Sequence, residues 1–128
     1  MSLLTPVNAA RVLGLGRVAV GLALRAAPAR AGEGWLGADG TTPGAQVALR
    51  GLGIRDVLVG MAQVHTAADP ERGYRWARTA SIGDAVDLAA TLAAAKHLPA
   101  SGVATIGAVA TGAAVSGVVV SRWLQAEA

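Results

Sequence analysis

Two aspartates, Asp84 and Asp87, stand three residues apart in the otherwise apolar stretch 81–95. Residues three apart lie on the same face of a helix. Ser81 and Thr91 fall on that face too, within an arc of about 120°, which we expect to point into the protein. An ionised carboxylate in apolar surroundings needs a cation, a proton or water. The stretch therefore predicts ion-pair, proton-binding or cation-binding chemistry.

Other charged residues interrupt the remaining apolar stretches of the chain. Each isolated charge near the middle of a bilayer costs about 2.5–3.5 kcal/mol. Cations and anions balance among these residues, so we expect them to pair between helices, with one or more of the arginines on Asp84 or Asp87. The candidate network, which is also the candidate ligand or proton site, consists of Arg17, Arg50, Arg55, Asp56, Asp84 and Asp87.

This set of charges allows three interpretations. A structural ion-pair core would fix the register of the helices, giving specificity more than stability. Alternatively, ionisable residues inside membrane spans mark routes for protons, ions or substrates. Some of the charges, Arg50 first among them, would instead lie near the membrane interface and extend their heads to water.

The composition favours a membrane protein over a soluble one. Charged residues make up 15% of the chain, against about 25% in soluble domains, and the mean hydropathy is +0.48. Aromatic residues are only 3%, which would leave a soluble core thin. The formal charge of +3 comes from arginines scattered through apolar segments. We therefore expect no nucleic-acid partner, since no basic patch or aromatic platform is evident.

Proline and glycine divide the chain into four helical segments, and we predict an all-α fold, a four-transmembrane-helix bundle with short loops. A single integral membrane domain covers residues 1–128, with spans at about 7–27, 43–65, 73–97 and 101–122. Residues 28–42 are expected to form a Gly-rich connection, and Thr42–Pro43 and Asp69–Pro70 to start helices. Only the last segment is expected to pass a strict hydropathy test, because residues 98–121 carry no charge and about 20 residues span a bilayer core.

Two alternatives to this topology remain open. One is a soluble Ala-rich four-helix bundle, although its outer helices would lack the charged faces of such bundles. The other is a cleaved signal peptide at the N-terminus, although three arginines interrupt its apolar run. With four spans, both termini lie on one side. The excess of arginines there favours a multi-pass protein of the cell membrane with cytoplasmic termini, the basic residues on that side being Arg11, Arg72, Arg75, Arg78 and Arg122.

Rows of small residues predict close helix packing. Such rows let helix backbones approach each other, either within one chain or between chains. The pattern indicates a homo-oligomer or a subunit of a larger membrane complex in the lipid bilayer. The predicted packing positions are Gly14, Gly21, Gly60, Ala108, Gly112 and Ser116.

No motif for catalysis or metal binding accompanies the charged network. His65 and His97 fall at predicted helix ends about 30 Å apart, too far to share a metal or a haem. The chain has no cysteine and contains no Gly-x-Ser-x-Gly, Walker or His-Glu-x-x-His motif. We therefore expect no enzyme activity, no metal and no cofactor.

Three stretches carry a family resemblance: 11–22 (Arg-Val-Leu-Gly-Leu-Gly-Arg-Val-Ala-Val-Gly-Leu), 53–60 (Gly-Ile-Arg-Asp-Val-Leu-Val-Gly) and 83–88 (Gly-Asp-Ala-Val-Asp-Leu). In them the chain resembles small uncharacterised multi-helix membrane proteins of high-GC actinobacteria, some grouped as domains of unknown function of the DUF4267 type. The resemblance spans nearly the whole chain. It implies an integral membrane helix bundle, and it implies no activity and no functional residues.

The expected function is that of a small structural or accessory membrane subunit, or of a homo-oligomeric bundle, held together by the Arg/Asp network. The alternative is a small oligomeric transporter or channel-like protein in which Asp84 and Asp87 bind a cation or protons. Four short spans rarely enclose a pathway alone, so that alternative requires an oligomer.

Overall fold

The chain folds into α-helices joined by short turns. The computed structural model describes residues 2–128, and in that range it contains five α-helices, two 3₁₀ turns and no strand. The predicted all-α class is confirmed. The helices are α1 (Pro6–Ala26), α2 (Pro28–Leu36), α3 (Pro43–Thr66), α4 (Gly73–Ala93) and α5 (Ala100–Ala126), and the 3₁₀ turns are Gly37–Thr41 and Ala95–His97.

Local side-chain chemistry sets the starts of the helices. Thr5 and Thr42 cap α1 and α3, each hydroxyl accepting a hydrogen bond from a backbone N–H three residues on, at 3.1 and 3.2 Å. A proline follows each threonine at the first helical position, where its missing N–H has no intrahelical partner to lose. Asp69 accepts two backbone N–H bonds in the turn before α4, each at 2.9 Å. The predicted start at Thr42–Pro43 is confirmed, whereas α4 begins at Gly73, after the Asp69 turn.

The predicted Gly-rich connection at 28–42 is wrong. Residues Pro28–Leu36 form α2, and Gly37–Thr41 form a 3₁₀ turn. The glycines permit a tight tertiary contact here: a Cβ on Gly32 would collide with the Gly40 carbonyl oxygen and lie 2.8 Å from the side chain of Leu49. Gly37 ends α2 with φ of 72°, a conformation that favours glycine. Tertiary packing therefore overrides the low helix propensity of the segment.

The ends of the last two long helices also differ from the predicted bounds. α4 ends at Ala93 and gives way to a 3₁₀ turn at Ala95–His97, instead of continuing to residue 97. α5 continues beyond Arg122 to Ala126. Pro99 separates the two, because proline cannot continue a helix and restricts the residue before it.

Two helices, α1 and α5, are long and apolar enough to cross a membrane. Their most apolar 18-residue windows have mean hydropathies of 1.4 and 2.0. The expectation that only the last segment passes such a test is therefore wrong, since α1 passes as well despite its arginines. Only 17% of each window is buried inside the protein.

The long helices pack as two antiparallel pairs, α1 with α3 and α4 with α5. Glycines make the first pair close: a Cβ on Gly60 would lie 2.6 Å from the Gly14 carbonyl oxygen, and one on Gly53 would lie 2.6 Å from that of Gly21. Real side chains essentially never approach so closely, so the contact requires glycine at these positions. The structure places the predicted packing residues Gly14, Gly21 and Gly60 at these close contacts.

The predicted small-residue row of α5 does not pack within the chain. Ala108 and Gly112 are exposed and Ser116 is half-buried. The buried face of α5 instead contains Gly102, Ala110, Gly117, Val120, Ser121 and Leu124. A Cβ on Gly117 would clash with the hydroxyl of Ser81. The absence of a side chain at Gly117 therefore lets α5 approach the polar face of α4 closely.

Large apolar side chains lie mostly on the outside. Five of the eight buried apolar residues are alanines, and Leu49, Val120 and Leu124 are the others. Leucine, isoleucine and valine side chains are exposed along α1, α3, α4 and α5, for example Leu15 (58%), Leu58 (61%), Ile82 (59%) and Val119 (57%). The interior is thus built of small and polar residues, and the bulky apolar surface faces outward.

Candidate functional site: an arginine–aspartate network

Arg17 connects three helices from its position in the middle of α1. Its Nη1 donates to Asp56 Oδ1 on α3 at 3.3 Å, and its Nη2 donates to Asp84 Oδ2 on α4. Nη2 also lies 3.4 Å from the carbonyl oxygen of Ala80. One guanidinium therefore joins the α1–α3 pair to α4.

Arg55 makes the second connection between the two helix pairs. Its Nη2 donates to Asp56 Oδ1 at 3.0 Å and to Asp87 Oδ2 at 2.8 Å, and its Nη1 donates to Asp87 Oδ1 at 3.3 Å. The contact with Asp87 is bidentate, a geometry that matches the planar guanidinium to a carboxylate. Asp56 is shared by both arginines.

The network has a buried inner half and a more exposed outer half. The side chains of Arg17, Asp56 and Asp84 are 11%, 9% and 10% exposed. Those of Arg55 and Asp87 are 38% and 22% exposed. Two guanidinium groups face three carboxylates in the whole set. One negative charge is therefore left over when every group is ionised.

The glycine contact between α1 and α3 positions the inner half. Arg17 follows Gly14 by three residues, and Asp56 follows Gly53 by three. Gly14 faces Gly60, and Gly21 faces Gly53, so Arg17 and Asp56 lie between two close backbone approaches. The antiparallel pairing thus brings the cation of one helix to the anion of the other.

Arg50 does not belong to the network, and its predicted place there is wrong. Its side chain is exposed at the α3 surface, near Leu22, Arg25 and Ala26 of α1. It lies six residues before Asp56, which places it about 120° away round the helix. It therefore has no carboxylate partner among residues 2–128.

The predicted inward face of α4 is buried at three of its four residues, whereas the fourth, Asp87, is half-buried. Ser81, Asp84 and Thr91 are 3%, 8% and 3% exposed. The hydroxyls of Ser81 and Thr91 donate to carbonyl oxygens one turn earlier, at 3.0 and 2.8 Å. Trp35 Nε1 donates to Thr91 Oγ1 at 3.3 Å, a contact that the sequence did not indicate because α2 was not expected.

A cavity of about 290 Å³ lies beside the inner half of the network, between α1, α4 and α5. Gln63 of α3 lines it and is 2% exposed. It is the largest fully buried side chain, and no hydrogen bond from or to its carboxamide occurs within residues 2–128. The Nε of Arg17 is also buried without a hydrogen-bond partner in that range. Gln63 lies seven residues after Asp56 and therefore on the same face of α3, whereas the cavity was not predicted.

The two histidines lie apart from the network. His65 is in the last turn of α3, and His97 is in the second 3₁₀ turn. Within the described residues, no three histidine, aspartate or glutamate side chains converge in a way that suits a metal ion. The chemistry available is therefore that of ion pairs, proton binding and hydrogen bonding to a molecule in the cavity.

Comparison of the chain with protein-family models, with curated proteins and with solved structures finds no match. The resemblance to membrane proteins of the DUF4267 type stays a prediction.

Proposed function

We propose that the chain is a small integral membrane protein in which α1, α3, α4 and α5 each cross the bilayer. The Arg/Asp network holds the two helix pairs together, and the protein serves as a structural or accessory subunit of a membrane assembly or of a homo-oligomer. The observation that carries this proposal is the distribution of side chains: bulky apolar groups face outward, while Arg17, Asp56 and Asp84 are paired inside. A bilayer favours both features.

The lengths of the helices support four crossings. The shortest of the four has 21 residues, which at 1.5 Å per residue is about 30 Å, the thickness of a bilayer core. α3 and α4 fail a hydropathy test because of their charges, but the paired members of these charges lie between the helices and not on the lipid-facing surface. The turn before α4 lies beside the start of α1 and the end of α5, as four antiparallel crossings require.

Burial argues against a soluble bundle and against a cleaved signal sequence. The core helix of a soluble protein is mostly buried, whereas only 17% of the apolar windows of α1 and α5 is buried. A signal sequence leaves the mature protein. Removing α1 would leave Asp56 and Asp84 without the cation that joins them.

The unpartnered small-residue row of α5 supports assembly with another membrane protein. Ala104, Ala108 and Gly112 are spaced four apart and exposed on one side of the helix. Rows of this kind allow close approach of a second helix. This role accounts for the row better than packing within the chain does.

Single-cysteine labelling tests the number of crossings, and the chain offers a clean background because it has no cysteine. Ser2→Cys, Thr41→Cys, Ala68→Cys and Gln125→Cys each place a thiol at an exposed position. In intact cells or sealed vesicles treated with an impermeant maleimide, Ser2, Ala68 and Gln125 should label from one side, and Thr41 from the other.

Labelling at Ala68→Cys distinguishes four crossings from two crossings by α1 and α5 alone. If only α1 and α5 cross, residues 41 and 68 lie on the same side and label together, which contradicts four crossings. Release of the wild-type protein from membranes by alkaline carbonate contradicts membrane integration altogether. Cytoplasmic termini predict that the Ser2→Cys thiol is protected in intact cells and labels after permeabilisation.

The unbalanced charge of the network favours a second candidate, a proton- or cation-translocating oligomer. Three carboxylates face two guanidinium groups, so one site can take up a proton or a monovalent cation. The double variant Asp84→Asn/Asp87→Asn distinguishes the two roles. Loss of ion flux in proteoliposomes with an unchanged folded yield favours translocation, whereas a reduced folded yield in detergent favours the structural role.

A further inference from the structure

The cavity beside Arg17 combines an apolar wall with a polar floor. Its wall is formed by valine, leucine and small residues of α1 and α5, while Gln63, Ser81 and Asp84 form the floor with Arg17. The exposed lining residues all belong to α1 and α5, with Val12, Val20 and Val109 being 67%, 51% and 59% exposed. The cavity therefore opens between these two helices, on the surface that faces lipid under the proposed function.

Two hydrogen-bonding groups on the floor lack partners. The carboxamide of Gln63 is 2% exposed and unbonded within residues 2–128, and the Nε of Arg17 is buried without a partner there. A buried polar group without a hydrogen bond costs about 1–3 kcal/mol. Arg17 Nε is the buried side-chain atom without a partner among residues 2–128. Gln63, which lines the cavity, is the group that a molecule with a hydrogen-bond acceptor can reach there.

The surrounding charges define the class of that molecule. The NH2 group of Gln63 donates hydrogen bonds, so it can bind an acceptor, and Arg17 with its guanidinium lines the same cavity. Asp56 and Asp84 flank the same guanidinium and would repel an anion, whereas the guanidinium itself would repel a cation. Water can bond only along the floor, because each water needs two to four polar partners and the apolar wall offers none, so the space beside the wall suits an apolar body.

We propose that this cavity binds a small, uncharged, apolar molecule bearing a carbonyl group, which reaches it from the bilayer between α1 and α5. The carbonyl oxygen accepts a hydrogen bond from the Gln63 carboxamide. The apolar body lies against the valines of α1 and α5. This inference rests on the proposed membrane location, since lateral access requires it.

A matched pair of probes tests the inference: 1-tetralone, a bicyclic ketone, and tetralin, the hydrocarbon of the same shape. The full chain is placed in nanodiscs of phosphatidylcholine and phosphatidylglycerol, and saturation-transfer NMR titrations are corrected with empty nanodiscs. We expect the ketone to bind at least tenfold more tightly than the hydrocarbon. We also expect the carbonyl stretch of the bound ketone to move to lower wavenumber, as hydrogen bonding requires.

Two variants separate the wall from the floor. Gly16 lines the cavity, and a Cβ there meets nothing within 4 Å. The side chain introduced by Gly16→Leu can therefore occupy the cavity without disturbing the backbone, and it should weaken the binding of both probes at least tenfold. Gly51 is also open and does not line the cavity, so Gly51→Leu should leave both affinities unchanged. Gln63→Leu should lower the affinity for the ketone to that for the hydrocarbon and shift the carbonyl stretch back to its unbound wavenumber. The affinity for tetralin should not change.

Several results would overturn the inference. Equal affinities of the wild-type protein for ketone and hydrocarbon would exclude a role of the polar floor in binding. Binding of neither probe would indicate a cavity filled by water or lipid chains. Binding that survives Gly16→Leu places the probe elsewhere. If Gln63→Leu fails to fold, the inference is still tested by the ratio of ketone to hydrocarbon affinity in the wild-type protein and by the two glycine variants. Failure to enter nanodiscs would contradict the proposed function, whereas entry without ketone binding contradicts this inference alone.

Discussion

Replacement of Arg17 by methionine should be the most damaging change to the network. Methionine keeps much of the side-chain volume but removes the cation that joins α1 to α3 and α4. Asp56 then keeps only Arg55, and Asp84 keeps no cation at all. Removing one partner of a buried pair costs about 3–5 kcal/mol. Because Arg17, Asp56 and Asp84 are 11%, 9% and 10% exposed, we expect Arg17→Met to fall in this range.

The same substitution at two other arginines provides a scale. Arg55 is 38% exposed and its partner Asp87 is 22% exposed, so solvent screens the pair and Arg55→Met should cost about 1 kcal/mol. Arg25 lies on the same helix as Arg17, is exposed, and has no carboxylate partner within residues 2–128. Arg25→Met should stay within about 0.5 kcal/mol of the wild type.

Unfolding in mixed micelles of dodecylmaltoside and SDS gives these free energies. Tryptophan fluorescence suits the assay, since the chain has three tryptophans, one of which, Trp35, donates to Thr91 between α2 and α4 at 3.3 Å. A double-mutant cycle with Asp84→Leu isolates the pair. We expect a coupling of about 0.5–3 kcal/mol, the range for residues in one network.

Two results would refute this reasoning. One is a cost for Arg17→Met no larger than that for Arg25→Met. The other is additivity of Arg17→Met and Asp84→Leu within about 0.5 kcal/mol, the behaviour of independent sites. If Arg17→Met does not fold, Arg17→Lys provides the measurement. Its compact ammonium lacks the planar fork that reaches both aspartates, so its stability should lie between those of the wild type and a fully uncoupled variant.

Two further predictions concern the packing and the turn before α4. Gly60→Val should lower the free energy of unfolding by about 1–3 kcal/mol, because a Cβ there lies 2.6 Å from a carbonyl oxygen of α1. The control is Gly51→Val on the same helix, where a Cβ meets nothing within 4 Å, and it should change the free energy of unfolding by less than about 0.5 kcal/mol. Equal effects of the two substitutions would contradict the close contact. Hydrogen bonds from the backbone N–H groups of Arg72 and Glu71 lower the pKa of Asp69. Its stabilisation is therefore present above the pKa of the unfolded chain, about 3.9, and is lost as the pH falls through the lower pKa of the folded state. Unfolding titrations between about pH 6 and pH 2 should show a smaller loss for Asp69→Asn than for the wild type, and identical pH dependence would contradict the role of this carboxylate.

The helices and the polar face of α4 were accessible from the sequence because local rules govern them. Thr42 and Pro43 start α3 through a side-chain cap and a fixed backbone angle. The period of the helix places Asp84 beside Ser81 and Thr91 on one face. These features depend on residues within one or two turns, so no tertiary contact was needed to predict them.

The segment at 28–42 shows where local rules fail. Four glycines in this stretch indicate a flexible connection, yet it contains α2. The contact between Gly32 and Gly40 compensates for the low propensity, and such a contact exists only once the chain has folded back. The hydrogen bond from Trp35 to Thr91 was missed for the same reason.

The sequence by itself determined that this chain is helical, that it carries fewer charges than a soluble domain, and that the aspartates inside its helices need cations, protons or water. Only the tertiary structure decided that Arg17 pairs with Asp84 and Arg55 with Asp87, while Arg50 has no such partner. It also decided that α5 buries Gly117 and leaves Gly112 exposed, and that a cavity remains beside Gln63. The composition and period of a helix fix which side chains share a face. How far each helix is rotated, and how closely glycines let two backbones approach, depends on contacts between segments distant in the chain.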